Sequence, residues 1–226
     1  MSFYNEKVLN KFNEALRNAM EEVKSGKVST VSISKGNEKM GAVVSVSLMP
    51  FLTCPSRCKG TCGKDCYAAK IANMRTSVLK SYARNTAMLM LKPELYWMDV
   101  NRAMMATRFF RYHVSGDIAN KEYFENMITT CVNNPHCQVL VFTKRYEIVN
   151  EWIAENGELP ENLHLLFSGW EDLEVVNPYG LPETNVFTTE PKDEWLVCGG
   201  NCFECGCRGV GCWQAKNGET IAFKKH

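Results

Sequence analysis

The sequence predicts an α/β fold: a partial, reduced TIM-like barrel of mostly parallel strands, followed by a cysteine-rich metal-binding lobe. Three observations carry this reading. From about residue 110 onward, short apolar runs alternate with helical patterns, which is the signature of a parallel sheet, open or curled into part of a barrel. The chain has 226 residues, whereas a complete eight-unit barrel usually needs about 250. The stretch 190–219 is dense in Gly, Cys and polar residues and has little apolar material for a core of its own. The expected division is therefore 1–189 for the partial barrel and 190–226 for the lobe.

Taken in order, residues 5–24 form an amphipathic helix, with Val8, Phe12, Leu16 and Met20 recurring every four positions. Val28–Ser34 and Val43–Leu48 alternate like strands around a Gly36–Asn37 turn. Tyr67–Leu91 reads as one long helix, stopped at Lys92–Pro93, and Pro93 opens a further helix reaching about Phe109. Strands are expected at Phe110–Val114, Gln138–Phe142, Leu163–Phe167 and Val186–Thr188. Helices are expected at Asn120–Asn133 and Tyr146–Glu155.

Composition narrows the function. The formal net charge is +1, which leaves no strong electrostatic footprint for nucleic acid. No run of about 18 apolar residues exists, so no membrane span is expected. The charged, helix-like N-terminus has no apolar signal core. The expected location is the cytoplasm, where structural disulfides are rare.

That matters because the chain holds 11 cysteines, most of them in two clusters. The first is Cys54-x3-Cys58-x3-Cys62-x3-Cys66, in a loop turned by Pro55, Gly60 and Gly63. The second contains Cys198, Cys202, Cys205, Cys207 and Cys212, with glycines between them. With disulfides set aside, metal remains. Structural zinc favours paired C-x2-C knuckles, which the first cluster lacks. A 4Fe–4S cluster takes several cysteines from one irregular loop. The second cluster does contain a knuckle, Cys202-x2-Cys205, so zinc competes there, but it has no histidine. Two 4Fe–4S clusters are expected, on Cys54, Cys58, Cys62 and Cys66 and on Cys198, Cys202, Cys205 and Cys212, with zinc as the alternative. Cys207 is the expected spare. Cys131 and Cys137 lie in helix and strand patterns and read as buried thiols.

Ligands of parallel α/β folds bind at the carboxyl ends of strands. Successive predicted strands end in His113, Ser115 and Asp117, then Thr143, Lys144 and Arg145, then Ser168 and Trp170. Ser115, Asp117 and Lys144 are the candidate cofactor-binding residues. Asp117 has an equally good reading as a turn or helix cap. His113 reads as a core histidine, and Lys144 and Arg145 read equally as holders of an anion or as a solvated face.

Several of these pieces occur in one order: Ser34–Lys35, Asn37-x-Lys39, Ser45–Leu48, Thr53–Cys54–Pro55 and Cys66–Tyr67–Ala68, then His113–Val114–Ser115–Gly116–Asp117, Thr143–Lys144, Cys202-x2-Cys205 and Cys212–Trp213. Over roughly residues 30–215 the chain resembles the bacteriophage "gene product 88" family, a group of radical-SAM-like proteins. The resemblance implies iron–sulfur binding, a barrel-like α/β fold and a location in the host cytoplasm, and it implies no substrate. Its first cysteine box matches Cys54, Cys62 and Cys66, which makes Cys58 an addition. S-adenosylmethionine (SAM) is a possible cofactor, with Ser115–Gly116–Asp117 resembling the element that holds its amino group. Four ligating thiolates would instead close the cluster and favour a redox or structural role, served by a redox partner.

Overall fold

The structure is a computed structural model and describes residues 2–225. Seven strands form one sheet in the order β1-β2-β3-β4-β5-β7-β6. They are β1 (Val44–Val46), β2 (Phe109–Tyr112), β3 (Gln138–Thr143), β4 (Leu163–Ser168), β5 (Glu183–Phe187), β6 (Leu196–Val197) and β7 (Thr220–Lys224). Every pairing is parallel. The sheet ends at β1 on one side and β6 on the other, so it does not close.

Alternation along the strands sends side chains to two faces. Phe110, Tyr112, Val139, Val141, Leu165 and Phe167 join the main core under the helices. Phe109, Leu140, Leu166 and Ile221 face the other way and pack with Met40, Val43 and Trp213. Each large apolar side chain fully buried this way stabilises the fold by about 1.5–3 kcal/mol.

The helices are α1 (Glu6–Lys24), α2 (Tyr67–Met74), α3 (Thr76–Leu91), α4 (Pro93–Met105), α5 (Lys121–Asn133), α6 (Tyr146–Asn156) and α7 (Cys202–Arg208). Asn5 caps α1 by accepting from the Val8 N–H at 3.0 Å, and Asn120 caps α5 through the Tyr123 N–H at 2.8 Å. None of the helices is long and apolar enough to cross a membrane, among the described residues.

Four local expectations change. The helix expected to reach about Phe109 ends at Met105, and Phe109 opens β2. Val28–Ser34 is extended but is not a strand; only Ser34 bridges to Ser45. Its backbone is satisfied from elsewhere: Asp99 Oδ2 accepts the Val31 N–H at 2.9 Å and Asn85 Oδ1 the Ser32 N–H at 2.7 Å. The predicted long helix breaks at Arg75, whose backbone is extended. Lys11 donates to the freed carbonyl of Asn73 at 2.6 Å. The β2 strand stops at Tyr112, because His113 takes a left-handed conformation with φ 59°.

The C-terminal segment is stitched to the sheet. Strands β6 and β7 flank the cysteine-bearing α7 and the Gly211–Trp213 turn, and β7 inserts between β5 and β6. Cys198, Cys202, Cys205 and Cys212 pack on the sheet face opposite the main helices.

Candidate functional site: a cavity between two cysteine groups

The carboxyl ends of the strands surround a cavity of about 500 Å³. The loops after β1 and β2 supply Cys54, Cys58, Cys62 and Cys66 and then His113 to Asp117. Lys144 follows β3, Ser168 ends β4, and Cys198 and Cys202 follow β6. Two cysteine clusters separated by more than 130 positions in the sequence thus face one space.

The first loop coils through two single 3-10 turns, Ser56–Lys59 and Cys62–Asp65. The hydrogen bond that the Cys58 thiol makes to Cys54, together with burial, pushes Cys58 up to about 12, against a lowering contact with Cys62. Cys62 is pushed higher by its hydrogen bond with Cys58 and by burial. Burial also raises Cys66, although it accepts the Ala69 N–H at 3.4 Å at the start of α2. The Lys144 ammonium opposes all three rises.

The second group repeats this arrangement. Burial raises Cys202 and Cys205 and pushes Cys212 up to about 12, and Cys198 adds to each. Arg111 on β2 is its nearby cation: Nη1 lies 3.9 Å from Cys202 Sγ, and the guanidinium sits 4.6 Å from the Phe142 ring centre. Trp213 is buried and donates its indole N–H to the Cys202 carbonyl at 2.8 Å. Cys207 is exposed. Cys131 and Cys137 are fully buried in the main core, away from both groups. Both clusters are thiol-only donor sets, which suits soft metal ions and iron–sulfur groups. Among the described residues, no three His, Cys, Asp or Glu side chains converge where one metal ion could sit.

The structure divides the predicted strand-end residues. Asp117 is buried and accepts three hydrogen bonds: from Thr143 Oγ1 at 2.6 Å, the Lys144 N–H at 2.9 Å and the Ile118 N–H at 2.8 Å. Its carboxylate locks the end of β2 to the end of β3. Lys144 is buried and donates its Nζ to Ser168 Oγ at 2.5 Å, beside the first cysteine group. Arg145 turns away, donating to the carbonyls of Ile118 and Thr53 at 3.0 and 3.1 Å, so it braces the cysteine loop. Ser115 Oγ makes no hydrogen bond of good geometry, although the Tyr82 phenol approaches it. Gly116 has φ 82°, and a Cβ there would lie 2.6 Å from Thr53 Oγ1. His113 Nε2 pairs with the Tyr123 hydroxyl at 3.0 Å, and Nδ1 has no partner.

Sequence reasoning missed Arg111 and Lys225. Arg111 sits mid-strand in an apolar run, Phe-Phe-Arg-Tyr, and a charge at such a position was the available signal. Lys225 ties the end of β7 to the first cysteine loop through Asp65, at 3.1 Å.

An open, all-parallel α/β sheet with two all-cysteine groups at its strand ends defines the class of this protein. The chain matches the Gene product 88 family over residues 7–220 and belongs to that family. No curated protein and no solved structure matches it.

Proposed function

We propose that this protein binds two 4Fe–4S clusters and is redox-active. Cys54, Cys58, Cys62 and Cys66 would hold one, and Cys198, Cys202, Cys205 and Cys212 the other. The observation that carries the reading is that the first thiol-only group and Cys198 and Cys202 of the second line one cavity, with buried Lys144 beside the first group and half-buried Arg111 beside the second. Buried thiols resist ionisation, and a metal that replaces their protons removes that cost. The thiols of a 4Fe–4S site bind different irons, so they need not converge on a point as four zinc ligands must.

Such clusters, when bound, supply one-electron transfer. The chain's own contribution is positional and electrostatic. Lys144 and Arg111 place positive charge beside the two thiolate groups. Asp117 and Arg145 fix the first loop against the ends of β2 and β3. Trp213 and the apolar face of the sheet cover one side of the second group.

We also read the open sheet as a partial TIM-like barrel. Strands β1 to β5 lie in sequence order, as a singly wound barrel requires. The cysteine lobe covers the face that a closed barrel would fill with side chains.

A second reading, a radical SAM enzyme, is favoured by the room in the cavity. It needs one iron free of protein thiolate, so only Cys54, Cys62 and Cys66 would ligate. Ser115 is available to that cofactor. Asp117 is less so, since three donors already occupy its carboxylate.

Anaerobic reconstitution tests the proposal. About eight irons and eight acid-labile sulfides per chain are expected, four of each per cluster. Stoichiometric zinc without sulfide would overturn it in favour of a zinc-stabilised binding module. A SAM-induced change in the paramagnetic resonance spectrum would select the second reading.

A further inference from the structure

We infer that the carboxyl end of β2 and the loop that follows it form a binding site for a small organic anion, with Arg111, His113 and Ser115 as its recognition groups. The inference rests on the same cavity as the proposed function but not on the clusters being present.

The first observation is an imbalance of hydrogen bonds. Buried polar side-chain atoms in native proteins nearly always have partners, and an exception calls for an explanation. Five such atoms lack one among the described residues, and three of them are Arg111 Nε, His113 Nδ1 and Ser115 Oγ. Arg111 lies on β2 and His113 and Ser115 in the loop that follows it, and all three line the cavity. A ligand in the cavity offers partners to Arg111 and His113, while Ser115 has the Tyr82 phenol as a competing partner.

The second observation is strain. His113 is a non-glycine residue at φ 59°, a strained conformation that clusters at binding sites. Tyr123 holds Nε2 at 3.0 Å and is itself held by Tyr96 at 3.0 Å, so the ring is fixed with Nδ1 unpartnered. Burial, with Arg111 nearby, lowers His113 to about 3, so the imidazole is neutral near pH 7 and can donate or accept at Nδ1.

The third observation is charge. Lys39, Arg111, Lys144, Lys224 and Lys225 line the cavity, and Lys225 is itself paired with Asp65. The carboxylates that line it are already engaged, Asp117 by its three donors and Asp65 by Lys225. The unbalanced charge is positive, so the ligand carries negative charge. Arg111 matches a carboxylate or phosphate through its planar fork. Phe142, Phe223 and Trp170 form apolar wall beside it, which suits a flat organic body.

Titration calorimetry with benzoate and phenyl phosphate tests the inference, with benzyl alcohol as the uncharged control. Both anions should bind the wild-type protein at least tenfold more tightly than the alcohol, and the tighter of the two identifies the anionic group. Arg111→Gln should lose at least tenfold for the anions, and Arg111→Lys should lose less. Equal binding of the alcohol, or unchanged anion binding by Arg111→Gln, overturns the inference. Iron, sulfide and thermal midpoint are measured on the same samples. Anion binding lost from Arg111→Gln with both contents and the midpoint retained supports the site. Loss that tracks missing iron or a lowered midpoint overturns it, because Arg111 then acts only by supporting Cys202 or the fold. If His113→Gln, which contacts neither cysteine group, also weakens anion binding, the site is supported independently of Arg111. Wild-type protein that binds the anions but no iron would overturn the cluster proposal and leave this one standing.

Discussion

Asp117 Oδ2 accepts the backbone N–H of Lys144 at 2.9 Å, and this single bond sets two strand ends against each other. It fixes the start of the Lys144 side chain, whose ammonium then reaches Ser168 and stands beside the first cysteine group.

Asp117→Ala should therefore damage both fold and site. It strands the Thr143 hydroxyl and two backbone N–H groups in a buried place, at roughly 1–3 kcal/mol for each group left unmade. A total loss of at least about 2 kcal/mol is expected in urea unfolding. A loss below about 0.5 kcal/mol would show that the carboxylate does not brace the strand ends.

Gly116→Ala should be destabilising although it adds only a methyl group. The backbone is left-handed there, and the new Cβ would meet Thr53 Oγ1 at 2.6 Å and Leu48 Cβ at 2.9 Å. Relief requires moving the loop that carries Cys54. The expected cost is about 1–3 kcal/mol, with reduced iron retention after reconstitution. Chemical denaturation and iron analysis measure the two effects.

His113 should make stability depend on pH. Its folded value lies near 3, below an ordinary value of 6.5, so the unfolded chain binds more protons between these limits. The contribution is complete above about pH 6.5 and is lost as pH falls toward 3, at up to about 1.4 kcal/mol per pH unit. Unfolding free energies at pH 7 and pH 5 should differ more for the wild type than for His113→Gln. Equal differences would mean that the histidine is protonated in the folded protein.

The double variant Cys202→Ser with Cys205→Ser should halve the reconstituted iron and sulfide and leave the first group loaded. The two positions lie on α7, whose Phe203 N–H bonds to the Met40 carbonyl at 3.0 Å and whose flank is closed by Trp213. Faster proteolysis is expected within residues 198–213, while β3 and β4 stay protected. Full metal content in the variant would remove these cysteines from any metal site.

Much of this was legible in the chain itself. The alternation after residue 110 gave the helices and the parallel strands, because burial on two faces demands near-continuous apolar runs. The spacing of Cys54 to Cys66 and of Cys198 to Cys212 marked both thiol groups, and Ser115–Gly116–Asp117 marked a strand end. Tertiary structure alone decided where these pieces meet. Strand β7 returns between β5 and β6, and that placement brings the second cysteine group over the sheet face that Phe109, Leu140 and Leu166 leave uncovered. It also decided the fate of Val28–Ser34, whose strand-like alternation was overridden by side chains 53 and 68 positions away. Local pattern records which way a side chain must face. It does not record the distant donor or acceptor that satisfies the backbone, and only the assembled fold brings that partner into reach.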